Sequence, residues 1–387
     1  MAFFRNDTVN LLNLHYGIHS LAISGGGAFF SVFLLRAGVP APAVLGSLAL
    51  ILAGRFALRP MILVFGKRWG LKPLVIAGTL LSALQYQVLA QVHGIGWPLL
   101  GLLALSAVGD TVYWTAYHAF FASVGDAEHR GHQIGAREAI AAVVGIVGPL
   151  VTGWALVTLG PQVAFGITGV VLVLAALPLL ATPNVRVVSE APGSIRAAWL
   201  GVMLLASDSW SCAGYFFVWQ IALFISLGEN FLAFGGAMAL AALVGAASGL
   251  FLGRLIDAGH GGRAVWLAAG AQAVTILVRA GAYGHPAWAV AANAMGVLVV
   301  AFYTPTMMTA VYNQAMESPC PLRFHMATEA SWDLGGASGC LACAALLWAG
   351  APFGAAILLS LIGMASTFFL LRRYYGNRGP AVSVIAA

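Results

Sequence analysis

Charge is what this sequence has least of. Asp, Glu, Lys and Arg make up 8% of its 387 residues, while 61% are hydrophobic. A soluble domain carries about 25% charged residues and cannot show water this much apolar surface, so the solvent implied is lipid. Cysteine is also scarce: there are four, Cys212, Cys320, Cys340 and Cys343, and their spacing fits neither a zinc site nor a disulfide framework. Cys340-x-x-Cys343 reads as small packing residues on one helix. No G-x-x-x-x-G-K-[ST] loop occurs, which argues against nucleotide-driven work by this chain alone. The 18 Lys and Arg exceed the 12 Asp and Glu, a formal charge of +6, but they are scattered singly and form no stripe, so nucleic acid is not an expected partner. Residues 1–10 are polar and lead directly into an apolar run without a small-residue cleavage site, which reads as a first membrane span rather than a removed signal.

What is present is a succession of apolar runs. Crossing the hydrocarbon core takes about 20 helical residues, and breaks at charges, Pro and Gly predict about twelve spans: 11–35, 41–65, 73–93, 97–122, 134–158, 161–182, 197–226, 232–256, 264–284, 286–312, 326–349 and 352–371. Placing both termini in the cytoplasm puts Lys67, Arg68, Lys72, Arg130, Arg137, Arg254, Arg263, Arg323, Arg372 and Arg373 inside and leaves Arg36 outside, as the positive-inside rule requires. The positive charge is then topological. The polar interval 183–196, with Pro183, Pro192 and Gly193, divides the spans six and six. Expected domains are a six-helix bundle at 1–183, a cytoplasmic loop at 184–195 and a second bundle at 196–387. The halves echo each other weakly, Gly27-Ala28-Phe29-Phe30 against Gly214-Tyr215-Phe216-Phe217, as a duplicated unit would.

Two local patterns add to this layout. Gly253-Arg254-Leu255-Ile256-Asp257, with Arg263 beyond, resembles the loop motif of the major facilitator superfamily. Its counterpart Gly66-Lys67-Arg68-Trp69-Gly70-Leu71-Lys72 keeps the basic tail but has Lys67 where that motif has aspartate. Gly145-Ile146-Val147-Gly148-Pro149 with Gly153 is similar to the Gly-Pro motif of antiporters in that superfamily. The resemblance implies an all-α membrane protein of two pseudo-symmetric six-helix bundles with a midplane cavity between them. It implies a small-molecule substrate, protons as coupling partner, no cofactor, a monomer, and a plasma membrane, the inner membrane in a bacterium. The arginine-and-glutamine motif of proton-coupled drug exporters is absent, and Asp110 lies where its arginine is expected.

Ionisable groups inside a span cost at least about 2.5–3.5 kcal/mol each at its centre and are retained where they face a partner, a cavity or water. Asp110 and Asp208 fall near mid-span; Arg55 and Arg59 lie a turn apart on one face. Asp110 has three open readings: proton carrier, counter-charge to a cationic substrate, or structural partner of Arg55. Asp208 has no basic partner in its own half, which suits a proton or cation site, or else a carboxylate satisfied beside Ser207 and Ser209. Trp114 and His118 share the stripe of Asp110. With Tyr117, Trp210, Trp219 and Tyr303 they form an aromatic lining suited to an amphipathic ligand, although each alone reads as packing. A second polar set comprises His19, Arg137, Glu138, His325, Glu329 and Asp333. The resemblance makes it a cytoplasmic gate in which Asp257 meets Arg137, and Lys67 and Arg68 meet Glu329 or Asp333; a proton path through His19 or His325 and fixed structural pairing are the other open readings. A metal site is not expected from this spacing.

The leading expectation is a secondary carrier working by alternating access, with antiport favoured by the Gly-Pro pattern. Alternatives are a non-transporting sensor or assembly factor with a carrier fold, and an intramembrane enzyme, for which no nucleophile motif is present. No catalytic residue is assigned. Arg55 and Arg59 suit an anion, Asp110 and Asp208 a cation, and the sequence leaves that choice open.

Overall fold

The computed structural model describes residues 6–124, 130–187, 193–256 and 261–377; every regular element among them is helical. Lipid offers backbone groups no hydrogen bonds, so a spanning chain must satisfy them within each segment. Helix α1 (Asp7–Ser24) starts on Asn6, whose side-chain oxygen accepts from the Val9 amide at 3.1 Å. After Gly25 and a 3₁₀ turn at Gly26–Phe29 it continues as α2 (Phe30–Arg36). There follow α3 (Ala41–Trp69), α4 (Leu71–Leu89), α5 (Trp97–Val124), α6 (Arg130–Thr158) and α7 (Pro161–Leu180). A short α8 (Ser194–Ala197) precedes α9 (Trp199–Cys212), which passes through a π-helical turn, Ala213–Val218, into α10 (Trp219–Ser226). The rest are α11 (Phe231–Ile256), α12 (Gly261–Ala282), α13 (Pro286–Glu317), α14 (Pro321–Trp348), α15 (Phe353–Leu358) and α16 (Ser360–Asn377).

Among the described residues nine helices are long and apolar enough to cross a membrane, and two shorter apolar helices lie at Phe231–Ala247 and Pro286–Val299. In the interval expected as the third span, α4 stays outside both sets, because Lys72, Gln85 and Gln87 lower its hydropathy. Short connections make consecutive rods antiparallel. One face therefore gathers the ends at Asp7, Trp69, Val124 and Leu180, here termed the terminal face; the opposite, far face gathers Arg36, Leu159 and Gly228.

Most helix pairs pack either within residues 7–180 or within 199–377, and the main seams between these sets are α6 on α11 and α3 on α14, with α2 on α10 toward the far face. Glycine makes the first seam close: a Cβ on Gly153 would lie 2.7 Å from the Phe231 carbonyl oxygen, and one on Gly235 would meet the Pro149 carbonyl. Pro149 and Gly153 of the Gly-Pro pattern thus lie on the α6–α11 seam, while Gly148 lies against Ser24 and Gly25. Gly335, Gly336 and Gly339 do the same for α14 on α9, against Ala206, Ser209 and Ala213. Toward the far face the two sets meet in an aromatic layer, Phe29 on Phe234 at 5.3 Å and on Phe231 at 6.0 Å, with Phe33 on Phe231 at 6.4 Å. Beyond it Arg36 pairs with Glu229 at 3.5 Å.

On the terminal face the basic loop after α3 is tied to the end of α7. Gly70 turns with φ +86, and Lys72 Nζ donates to the carbonyls of Leu180 and Thr182 at 2.7 Å each, completing free acceptors at a helix C-terminus.

Gly153→Leu should force α6 off α11. The expected cost is about 1–3 kcal/mol, as for other overpacked sites, read as a lower thermal unfolding midpoint of the detergent-solubilised protein; an unchanged midpoint would contradict the close seam.

Candidate functional site

Where α3, α5 and α14 meet near their midpoints, five charged side chains converge. Arg59 Nη1 donates to Glu329 at 2.5 Å and to Thr115 Oγ1 at 2.8 Å, while Nη2 donates to Asp333. Arg55, one turn toward the far face, places Nε 3.0 Å from Asp333 Oδ1 and Nη1 3.8 Å from Asp110 Oδ2. The Arg55–Asp333 approach is close in distance yet not aligned as a hydrogen bond. Asp333 and Arg59 are buried, whereas Asp110 keeps 28% of its side chain exposed. His118 and His325 join the electrostatic surroundings of Glu329, and the Trp332 ring lies 5.8 Å from the Arg55 guanidinium. Both arginines come from the first set of helices, and two of the three carboxylates from the second. An arginine fork spanning two carboxylates is a directional contact that a lysine cannot reproduce.

Beside this network, α1 and α5 build a buried ring stack. His15 Nδ1 lies 2.7 Å from the Ala175 carbonyl oxygen, which can only accept, so Nδ1 carries hydrogen and Nε2 accepts from the Tyr113 hydroxyl at 3.0 Å. His19 lies flat on Tyr113 with centroids 4.0 Å apart, and Tyr117 stacks on Tyr16 at 5.5 Å. Trp114 meets His19 edge-on and stacks on His118.

Asp208 on α9 is buried and accepts from the Tyr303 hydroxyl at 2.7 Å; among the described residues no cation pairs with it. Closer to the far face, Arg279 on α12 is 4% exposed. Its guanidinium donates to the carbonyl oxygens of Tyr215 at 2.5 Å and Ala292 at 3.4 Å and lies 4.2 Å and 5.0 Å from the rings of Tyr215 and Trp219. Tyr215 belongs to the π-helical turn, a feature frequent at functional sites, and Gly296 leaves room for the guanidinium.

The structure thus brings Arg55, Arg59, Asp110, Glu329 and Asp333 together, with Trp114, His118 and His325 beside them, and places other expected site residues elsewhere. Tyr117 and His19 pack within the first set of helices, where the His19 ring meets those of His15, Tyr113 and Trp114. Trp219 serves the Arg279 cage and donates to Asn293; the Trp210 ring lies against Gly363 of α16. Lys67 and Arg68 do not meet Glu329 or Asp333. Both are exposed at the end of α3, about 12 Å along the helix from Arg59 at 1.5 Å per residue, and Arg59 occupies those carboxylates instead. The expected Asp257–Arg137 contact cannot be followed: Asp257 lies outside the described residues, as do the side chains of Arg137 and Glu138. Arg279 was missed by sequence reasoning, although a lone arginine in the apolar run 264–284 is the signal that marked Arg55. Among the described residues no three His, Cys, Asp or Glu converge to hold a metal ion.

Residues 12–320 match the family model described as Major Facilitator Superfamily. A solved structure, that of an auto-inhibited POT family peptide transporter, superposes with a TM-score of 0.69 at 14% identity, covering 96% of this chain and 97% of that one. At that identity the likeness speaks for fold alone. No match was found among curated proteins.

Arg59→Met would leave Glu329 and Asp333 to Arg55 alone; unpairing a buried ion network costs about 3–5 kcal/mol, so a marked fall in unfolding midpoint is expected, and Arg59→Lys should not restore it. Arg279→Met would strip the Tyr215 and Ala292 carbonyls of their donor, at about 1–3 kcal/mol for each acceptor left unsatisfied, seen as faster amide hydrogen exchange around 213–218. Wild-type exchange there would refute the cage.

Proposed function

The chain belongs to the Major Facilitator Superfamily, a superfamily of membrane transporters, and on that premise we propose that it is a secondary carrier moving a small organic solute, amphipathic or charged, by alternating access. The halves 1–183 and 196–387, joined by the loop 184–195, rock about a midplane site, with twelve spans and both termini in the cytoplasm. A plasma membrane, the inner membrane in a bacterium, is the proposed location, and the monomer the working unit. The observation that carries this proposal is the ion network across the α3–α14 seam. Contacts between halves that are fork-like and directional can be replaced as a unit when the halves move, whereas a static bundle has no need of charges that cost several kcal/mol to bury.

In this mechanism Arg55, Asp110, Trp114 and His118 border the solute. Arg59, Glu329 and Asp333, with His118 and His325 beside them, hold the terminal side closed and release it on rocking. The exposed Lys67 and Arg68 act in another state of the carrier. Asp208, buried with no cation paired to it among the described residues, is the proposed proton site: a charge is costly to bury there, and a change of surroundings during rocking exchanges its proton. Asp110 is the second such group, since its partner Arg55 is shared. Proton antiport follows if solute and proton alternate at these carboxylates. A sensor that kept the carrier fold is the alternative.

Purified protein in proteoliposomes, given a panel of metabolites and organic ions, should show solute-dependent proton movement that is lost in Asp208→Asn or Asp110→Asn. Solute binding without flux of any kind would replace the carrier with the sensor.

A further inference from the structure

The charge balance of the network selects the kind of solute it can take. Three carboxylates, Asp110, Glu329 and Asp333, face two guanidiniums, Arg55 and Arg59. Arg59 is wholly used: Glu329, Asp333 and Thr115 occupy it, and it is 2% exposed. Arg55 has Asp333 Oδ1 3.0 Å from its Nε, a charge contact without hydrogen-bond alignment, and Asp110 at a looser 3.8 Å from Nη1. The histidines His118 and His325 lie around Glu329, at the other end of the network from Asp110, whose charged surroundings are Arg55 and Asp333. Asp110 is therefore the carboxylate in excess, and both guanidiniums of the network already face carboxylates.

Asp110 is also the member of the network with the most open space. It stands at the middle of α5, where an exposed polar atom facing lipid would be costly. The lipid side of α5 is marked by Leu100 and Val108, both exposed; Asp110 lies about 160° around the helix from Val108 and about 80° from Leu100, and its carboxylate turns to Arg55 of α3. Its exposed part accordingly opens inside the bundle. Trp114 and His118 follow it on the same face, both half-buried, and their rings stack at 5.6 Å, while Trp332 stands across on α14. A carboxylate with spare charge, flanked by half-exposed aromatic faces, suits a positively charged group on an apolar body, the charge taking the carboxylate and the body the rings.

We propose that the solute of this carrier is an organic cation, an ammonium, amidinium or similar group on an apolar body, whose charge is taken by Asp110 in place of its loose contact with Arg55, and that organic anions are excluded. This assignment rests on the carrier function proposed above.

The test is equilibrium binding to wild-type protein in nanodiscs, with tetraphenylphosphonium, ethidium and benzylamine as cations against benzoate and naphthalenesulfonate as anions, together with flux of the same probes in proteoliposomes. At least one cation should bind saturably and neither anion should. Asp110→Asn should weaken cation binding at least about tenfold, the scale expected when the partner of a buried charge is removed, while Asp110→Glu, which keeps the charge, retains most of it. Anion binding in preference to cations, cation binding indifferent to Asp110→Asn in a protein with wild-type unfolding midpoint, or no binding by any cation would each overturn the assignment. Flux of anions only would overturn it and leave the carrier standing. Binding of cations without flux would leave the assignment standing and remove the carrier.

Discussion

A buried arginine cannot be left alone in a membrane. Once α3 carries Arg55 and Arg59 into its middle, neighbouring helices must bring acceptors to them; here the acceptors include the carboxylates of α14, and they join α14, from the later set of helices, to α3. The apolar helix faces elsewhere pack on lipid as readily as on one another, because without water there is little hydrophobic force to choose between the two. Close glycine contacts and polar contacts therefore decide which helices meet. The α3–α14 seam is held by ions and the α6–α11 seam by glycine, and the two differ in kind. The glycine seam is a close contact of smooth backbone surfaces; the ionic seam has a preferred, directional geometry.

Contacts between the halves fall into two layers. Toward the far face they are aromatic, Phe29 and Phe33 against Phe231 and Phe234, capped by the exposed Arg36–Glu229 pair. An exposed pair of this sort is worth little, about 0–1 kcal/mol, so the rings do most of the closing there. At mid-depth the contacts are ionic and buried. A rocking motion that opened one layer would leave the other to hold the halves, which is the arrangement alternating access needs. Arg279 is caged against the π-helical turn between α9 and α10 and so ties the irregular part of that rod to α12.

Much of the fold was legible because lipid imposes it: apolar runs of about 20 residues can only be helices, and breaks such as Gly70 and Gly160 fell at turns. The Arg55–Asp110 contact was legible as well, since a mid-span charge announces its need for a partner. Which partner was not. Arg59 looked like part of the solute site and turned out to hold the two carboxylates assigned to Lys67 and Arg68; helix position along the bundle decided this, and a loop motif read as a string carries no such distance. His19 and Tyr117 looked like gate and lining and proved to be packed rings, because period-3.6 spacing gives the face of a helix without saying what that face meets. The basic tail ending in Lys72 likewise found a nearby use, capping α7, that depends on a contact 108 residues away.

The central claim is that the ion network across α3 and α14 is a contact the protein must break to work. Spin labels at Lys67 and Pro319, both exposed on the terminal face and in different halves, would report it directly as a distance distribution in lipid. Two populations are expected in the wild type, with the longer one gaining when Arg59→Met removes the network. A single distance, unchanged by that substitution, would contradict it.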